Sequence, residues 1–186
     1  MATLITPQVG RRLEELKVPW ALMLVGLPGS GKSTFIKSLK MYLDDKSVVV
    51  LSTDNVIDAR ALAEGKTYSQ IFDEVSFKEF KAEMESDAEK AREGRLNVVF
   101  DQTNMSSKSR KTKLEPFLMF GYTCASLSFD VPMKVLRERL DKRAIETGKV
   151  IPEHVLRQML SGYKTPTRDE GFSHMWDFQD AVLQTA

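Results

Sequence analysis

The run Gly26-Leu27-Pro28-Gly29-Ser30-Gly31-Lys32-Ser33-Thr34 constrains the fold of this chain more than any other stretch. It meets every fixed position of the phosphate-binding loop pattern Gly-x-x-x-x-Gly-Lys-Ser/Thr. The context is also right: an apolar run at residues 20–25 precedes it, and helical periodicity at 33–43 follows. Glycines let such a loop wrap so that successive N–H groups converge on phosphate oxygens. The helix that follows adds a dipole favourable to an anion. In this pattern the Lys32 ammonium reaches the β- and γ-phosphates, and the Ser33 hydroxyl ligates magnesium. The expected nucleotide-binding set is therefore Gly26, Pro28, Gly29, Ser30, Gly31, Lys32, Ser33 and Thr34.

The rest of the chain alternates strand-like and helix-period segments. Residues 7–16 read as an amphipathic helix with Val9, Leu13 and Leu16 on one side, and 47–51 as a second apolar strand. A charged helix is predicted over 76–92, burying Phe77, Phe80, Met84 and Ala88, and a third strand over 97–100, ending at Asp101. Residues 108–120 read as helix, with Pro116 a possible kink, and 122–129 as a fourth strand. Helices follow at 133–145, after Pro132, and from Pro152 to 160; residues 174–182 leave room for a last strand. This alternation predicts an α/β fold, a parallel sheet with helices on both faces.

Composition narrows the setting. Lys plus Arg number 27 against 26 Asp plus Glu, so net charge identifies no partner class. The single cysteine, Cys124, forms no internal disulfide and reads as a small core residue in a reducing, cytoplasmic setting. Neither a signal peptide nor a membrane span is expected, since the longest apolar run is 20–25.

Among proteins with such a loop, a guanine-specific switch is expected to carry Asn-Lys-x-Asp, which is absent. A motor usually places glutamate after the strand-end aspartate, where this chain has Gln102. Phosphate transfer to an acceptor hydroxyl is the class that remains best supported. Asp54 follows the second strand, at the sheet end where ligands bind, and is read either as the base for an attacking hydroxyl or as a helix cap. Asp101 could hold magnesium through water, bind the acceptor, or cap a turn. Lys108, Arg110, Lys111 and Lys113 make a basic cluster suited to solvent or to phosphate. Arg139 and Arg143, four apart, share a helix face; they read as a lid over the transferring phosphate or as parts of surface salt bridges.

Taken in order from about Leu22 to Phe172, these segments resemble the kinase domain of 5′-hydroxyl polynucleotide kinases, as found in phage and animal end-repair enzymes. Asp54 falls where that family has its general base. Asp101-Gln102-Thr103-Asn104, with Arg110 after it, looks like the family's Asp-x-Thr-Asn segment facing the acceptor strand. Arg139 and Arg143 match the lid arginines, and Gly162-Tyr163 with Pro166-Thr167 through Glu170-Gly171-Phe172 resembles the motif that closes the animal domain. The resemblance implies a P-loop NTPase-type sheet with a helical lid, ATP and Mg2+ as cofactors, and DNA or RNA as substrate. It implies Asp54, Lys32, Arg139 and Arg143 as catalytic, and Asp101, Thr103, Asn104 and Arg110 as substrate-binding. Residues 1–186 are then one kinase domain, with 1–19 a helical extension and about 132–165 the lid and the helix after it. Thr53 stands where family members often have arginine and Ile57 where some do, which leaves the acceptor open between a 5′-hydroxyl end and a hydroxymethyl group on a modified base. Further alternatives are a small-metabolite kinase and an ATP-dependent switch without an acceptor.

Overall fold

The apolar runs of the sequence lie side by side in one parallel sheet. The computed structural model describes residues 2–16, 19–43, 48–147 and 150–178. In chain order the elements are β1 (Ala2–Leu4), α1 (Thr6–Glu14), β2 (Trp20–Val25), α2 (Lys32–Tyr42), β3 (Val48–Leu51), α3 (Thr53–Glu64), α4 (Tyr68–Glu74) and α5 (Phe77–Glu93). They continue with β4 (Asn97–Phe100), α6 (Ser107–Met119), β5 (Thr123–Ser128), α7 (Met133–Thr147), α8 (Glu153–Ser161), a 3₁₀ turn (Arg168–Glu170) and β6 (His174–Phe178). Strand order is β1-β6-β5-β2-β4-β3, and every neighbouring pair is parallel.

All of β2 is buried, as expected of a central parallel strand covered on both faces. Leu22 and Leu24 pack on one face with Val9 and Leu13 of α1 and Phe35, Ile36 and Leu39 of α2. Ala21, Met23 and Val25 face the other way, against Met84, Ala88 and Ala91 of α5 and Leu114 and Phe117 of α6. Each large apolar side chain fully buried in these layers contributes about 1.5–3 kcal/mol. Cys124 sits in the second layer with no exposure, and burial pushes its thiol up to about 12.

Several elements differ from the sequence expectation. The first residues are more than a helical extension, because Ala2–Leu4 add an edge strand beside β6. Two helices, α3 and α4, fill the stretch between β3 and α5. Pro116 lies inside α6 without ending it. Of the stripe expected on α5, Phe80, Met84 and Ala88 are buried, while the Phe77 side chain lies outside the described residues. The last strand ends at Phe178, and residues 179–182 of its expected span also lie outside them. Helix α7 is anchored by Leu136, which packs with Leu27 of the phosphate loop and Val131.

Candidate active site

The chain leaves β2 at Val25 and enters α2 at Lys32, so the loop lies at the C-terminal edge of a central strand. Gly29 and Gly31 have φ of 80° and 100°, a region that side chains resist, so the curl of the loop depends on glycine at both. The Lys32 ammonium donates to the carbonyl oxygens of Gly26 and Leu27, each at 2.9 Å, which holds it against the loop. Burial lowers its pKa to about 8; Asp101 and then Asp54 oppose that shift, and Arg143 adds to it.

Asp101 leaves β4 beside the loop, and its Oδ2 accepts from the Ser33 hydroxyl at 3.5 Å. Burial raises the Asp101 carboxyl pKa and Asp54 adds to the rise, while Lys32, Ser33 and Arg143 counter it. One cavity of about 920 Å³ contains the loop together with Asp54, Asp101, Thr103, Arg139 and Arg143 in its lining. This size suits a small-molecule ligand. A magnesium-bound nucleoside triphosphate fits these residues: the loop offers N–H groups, Lys32 a cation, and Ser33 with Asp101 the paired oxygens that magnesium takes.

Asp54 lies in the first turn of α3, whose N-cap is Ser52, so the capping alternative fails. Its Oδ1 instead accepts from the Tyr68 hydroxyl at 2.8 Å, and it stands exposed on the cavity. Burial raises the Tyr68 pKa, and the bond to Asp54 raises it further, so the phenol keeps its proton and stays a donor. No spacing in the sequence links these two residues. The box Thr67-x-x-Gln70, in which Gln70 N donates to Thr67 Oγ1 at 3.3 Å, was the available sign that a helix begins at Tyr68.

The acceptor set expected from the resemblance divides. Asp101 and Thr103 line the cavity, but Arg110 has no exposure and does not reach it. Its guanidinium makes a bidentate pair with Glu170 at 2.6 and 2.7 Å, and donates to the carbonyls of Asn104 and Met105. Asn104 is buried as well; its amide donates to Leu24 O at 2.7 Å and its Oδ1 accepts from Lys113 Nζ at 2.6 Å. Both residues are therefore buried in bonds that tie the 101–104 segment to β2, α6 and the 3₁₀ turn. The basic cluster splits with them: Lys108 and Lys111 are exposed, whereas Arg110 and Lys113 turn inward. Arg139 and Arg143 line the same cavity as the loop, and Arg139 Nη1 donates to Gly29 O at 3.4 Å. His154 is exposed and His174 half-buried, and no group of three metal-ligating side chains occurs among the described residues. Nor is any described helix long and apolar enough to cross a membrane.

With a phosphate loop, two arginines and a carboxylate on one cavity, the chain falls in the class of P-loop kinase domains. The family described as an AAA domain matches residues 22–166, and the chain belongs to it. It is 27% identical over 167 residues to the L-seryl-tRNA(Sec) kinase of Methanococcus maripaludis, an alignment covering 88% of this chain and 58% of that one. A chain in the structure of a Pnkp1/Rnl/Hen1 complex superposes with TM-score 0.53 at 25% identity, over 67% of this chain and 40% of the other. The chain thus spans about half the length of these two relatives. A structure from Chloroflexus aurantiacus shares the fold with TM-score 0.63 at 12% identity, over 91% and 89% of the two chains.

Proposed function

We propose that this protein is an ATP- and magnesium-dependent kinase that moves the γ-phosphate to a hydroxyl on nucleic acid, with the 5′-hydroxyl end of DNA or RNA as the leading acceptor. The observation that carries the reading is Asp54, a carboxylate on the same cavity as the phosphate loop, held by Tyr68 and open to a substrate. Magnesium-bound ATP, when present, supplies the electrophilic phosphorus. Asp54 takes the proton of the acceptor hydroxyl. Tyr68 fixes the orientation of that carboxylate. Lys32, Arg139 and Arg143 balance charge on the group in transfer, and Ser33 and Asp101 would hold a magnesium ion that neutralises the phosphates. Support for a nucleic-acid acceptor comes from the order of motifs behind the loop and from a relative whose name includes tRNA.

A second reading puts the hydroxyl elsewhere on nucleic acid, as in a hydroxymethyl group on a modified base or a seryl group carried by tRNA. Ile57 favours it: this position, arginine in some polynucleotide kinases, is 1% exposed and packed with Ala61, Ile71 and Phe80. The test is transfer of γ-labelled phosphate from ATP to a 5′-hydroxyl oligonucleotide, with Asp54→Asn as control. Label at the 5′ end, lost in the variant, is the expected result. ATP binding without label on that oligonucleotide moves the acceptor to the second group of substrates. ATP hydrolysis indifferent to every hydroxyl compound rejects a kinase.

A further inference from the structure

The strand order gives the cavity a direction. β2 carries the phosphate loop; β4 and β3 on one side lead to Asp101 and Asp54, and β5, β6 and β1 lie on the other. Ser33 meets Asp101, and the charges acting on Lys32 are those of Asp101, Asp54 and Arg143, so the reacting end of a bound triphosphate belongs on the β4–β3 side. Its nucleoside must then extend toward β6 and β1, two to three strand spacings or about 10–14 Å away.

The lining changes character there. Ile5, Thr6, Pro7 and Phe178 join Phe35 and Ser38 of α2 on the same cavity. The register pairs Leu4 with Phe178, which brings Ile5 to the C-terminal edge of the sheet, on the cavity that Phe178 also lines. Phe178 is half-buried and braced by Phe35 and Phe129, with ring centroids 5.3 and 4.7 Å away. Ile5, by contrast, is 40% exposed, an apolar side chain left facing open space. A flat base stacks on such a wall irrespective of its hydrogen-bonding edge. The hydroxyls of Thr6 and Ser38 offer polar contacts beside it. Residues 5–7 and 178 all fall outside 22–166, the stretch matched by the family.

We infer that Ile5, Thr6, Pro7 and Phe178 seat the nucleobase of the donor triphosphate at the end of the cavity opposite Asp54. The inference rests on the nucleotide-site reading above and adds the part of the chain that grips the nucleoside. Ile5→Ser tests it, because Ile5 is the N-cap of α1 and serine is favoured at that position, so the helix keeps its start. Phe178→Leu removes the ring while staying apolar.

Calorimetric titration with ATP and, separately, with inorganic tripolyphosphate isolates the nucleoside from the phosphates. Each variant is expected to weaken ATP binding about five- to tenfold, as lost apolar contact at this scale implies, with tripolyphosphate affinity held within about twofold. Unchanged ATP affinity in both variants overturns the inference, and so does an equal loss for both ligands. A wild-type chain that binds neither ligand rejects the nucleotide site itself, and one that binds them equally rejects the nucleobase seat alone. Phosphate transfer is not measured, so the outcome is independent of the acceptor.

Discussion

Replacing Arg110 with methionine decides whether this side chain builds the site or touches an acceptor. Arg110 is 0% and Glu170 3% exposed, and besides their two mutual bonds Arg110 serves two backbone carbonyls at 2.9 and 3.0 Å. Methionine fills much of the same volume but leaves the Glu170 carboxylate without its cationic partner, with only neutral donors such as Thr167 remaining, and takes the guanidinium from those carbonyls. Removing one partner of a buried pair costs about 3–5 kcal/mol. In a chain of this length each kcal/mol lowers Tm by about 2–4 °C, so a fall of about 6–20 °C is expected. Burial alone raises the Glu170 pKa, but the Arg110 guanidinium together with hydrogen bonds from Thr167 and Ser107 outweighs it, and the net value is lowered. The stability from that lowering is present above the ordinary glutamate value and lost as pH falls through the folded one. The gap between variant and wild type should therefore narrow in acid. Urea denaturation at about pH 7 and about pH 3.5 measures it. Arg110→Met/Glu170→Leu should recover part of the loss, since it leaves no charge unpaired. A single variant within about 1 kcal/mol of wild type, with a raised acceptor KM, would refute this account and return Arg110 to the substrate.

Tyr68→Phe removes the donor to Asp54 and should cut the transfer rate about tenfold with ATP affinity unchanged, the scale of a hydrogen bond to a charged group; equal turnover would detach Tyr68 from the chemistry. Burial, with Lys81 adding, lowers the Lys113 pKa to about 8, so the unfolded chain binds more protons from there up to the ordinary lysine value of 10.5. Stability should rise with pH across that window, and Lys113→Met should flatten its share of the slope in denaturation midpoints. Phosphate anions against Lys32 should restore its proton, so ATP binding at about pH 8.5 should take up protons, read from binding enthalpy in buffers of different ionisation heat. Lys32→Met should abolish that uptake.

The parts legible in the sequence are those whose neighbours on the chain are also their neighbours in space. β2 and β4 match their expected bounds because central parallel strands are continuous apolar runs. The phosphate loop is legible for a similar reason, being built from consecutive residues. β1 has three residues, too few to show a period. α3 buries only Ile57 and Ala61 of its twelve residues, which leaves a faint stripe. Arg110 shows the limit most clearly: of four basic residues two turn inward, Lys113 to Asn104 and Arg110 to a carboxylate sixty positions later. The Tyr68–Asp54 contact likewise exists only once α3 and α4 pack together.

The pairing of β1 with β6 also sets an order of events during synthesis. Ala2 bonds beside Trp176 and Leu4 beside Phe178, so β1 emerges from the ribosome long before its neighbour exists. Contacts this distant along the chain carry a large closure entropy and form slowly. The central strands can assemble while β1 is still a bare edge, exposed to other chains until residues 174–178 arrive. A nascent chain halted ahead of that point would carry its phosphate loop but lack Phe178 on the wall of the cavity that Ile5 also lines.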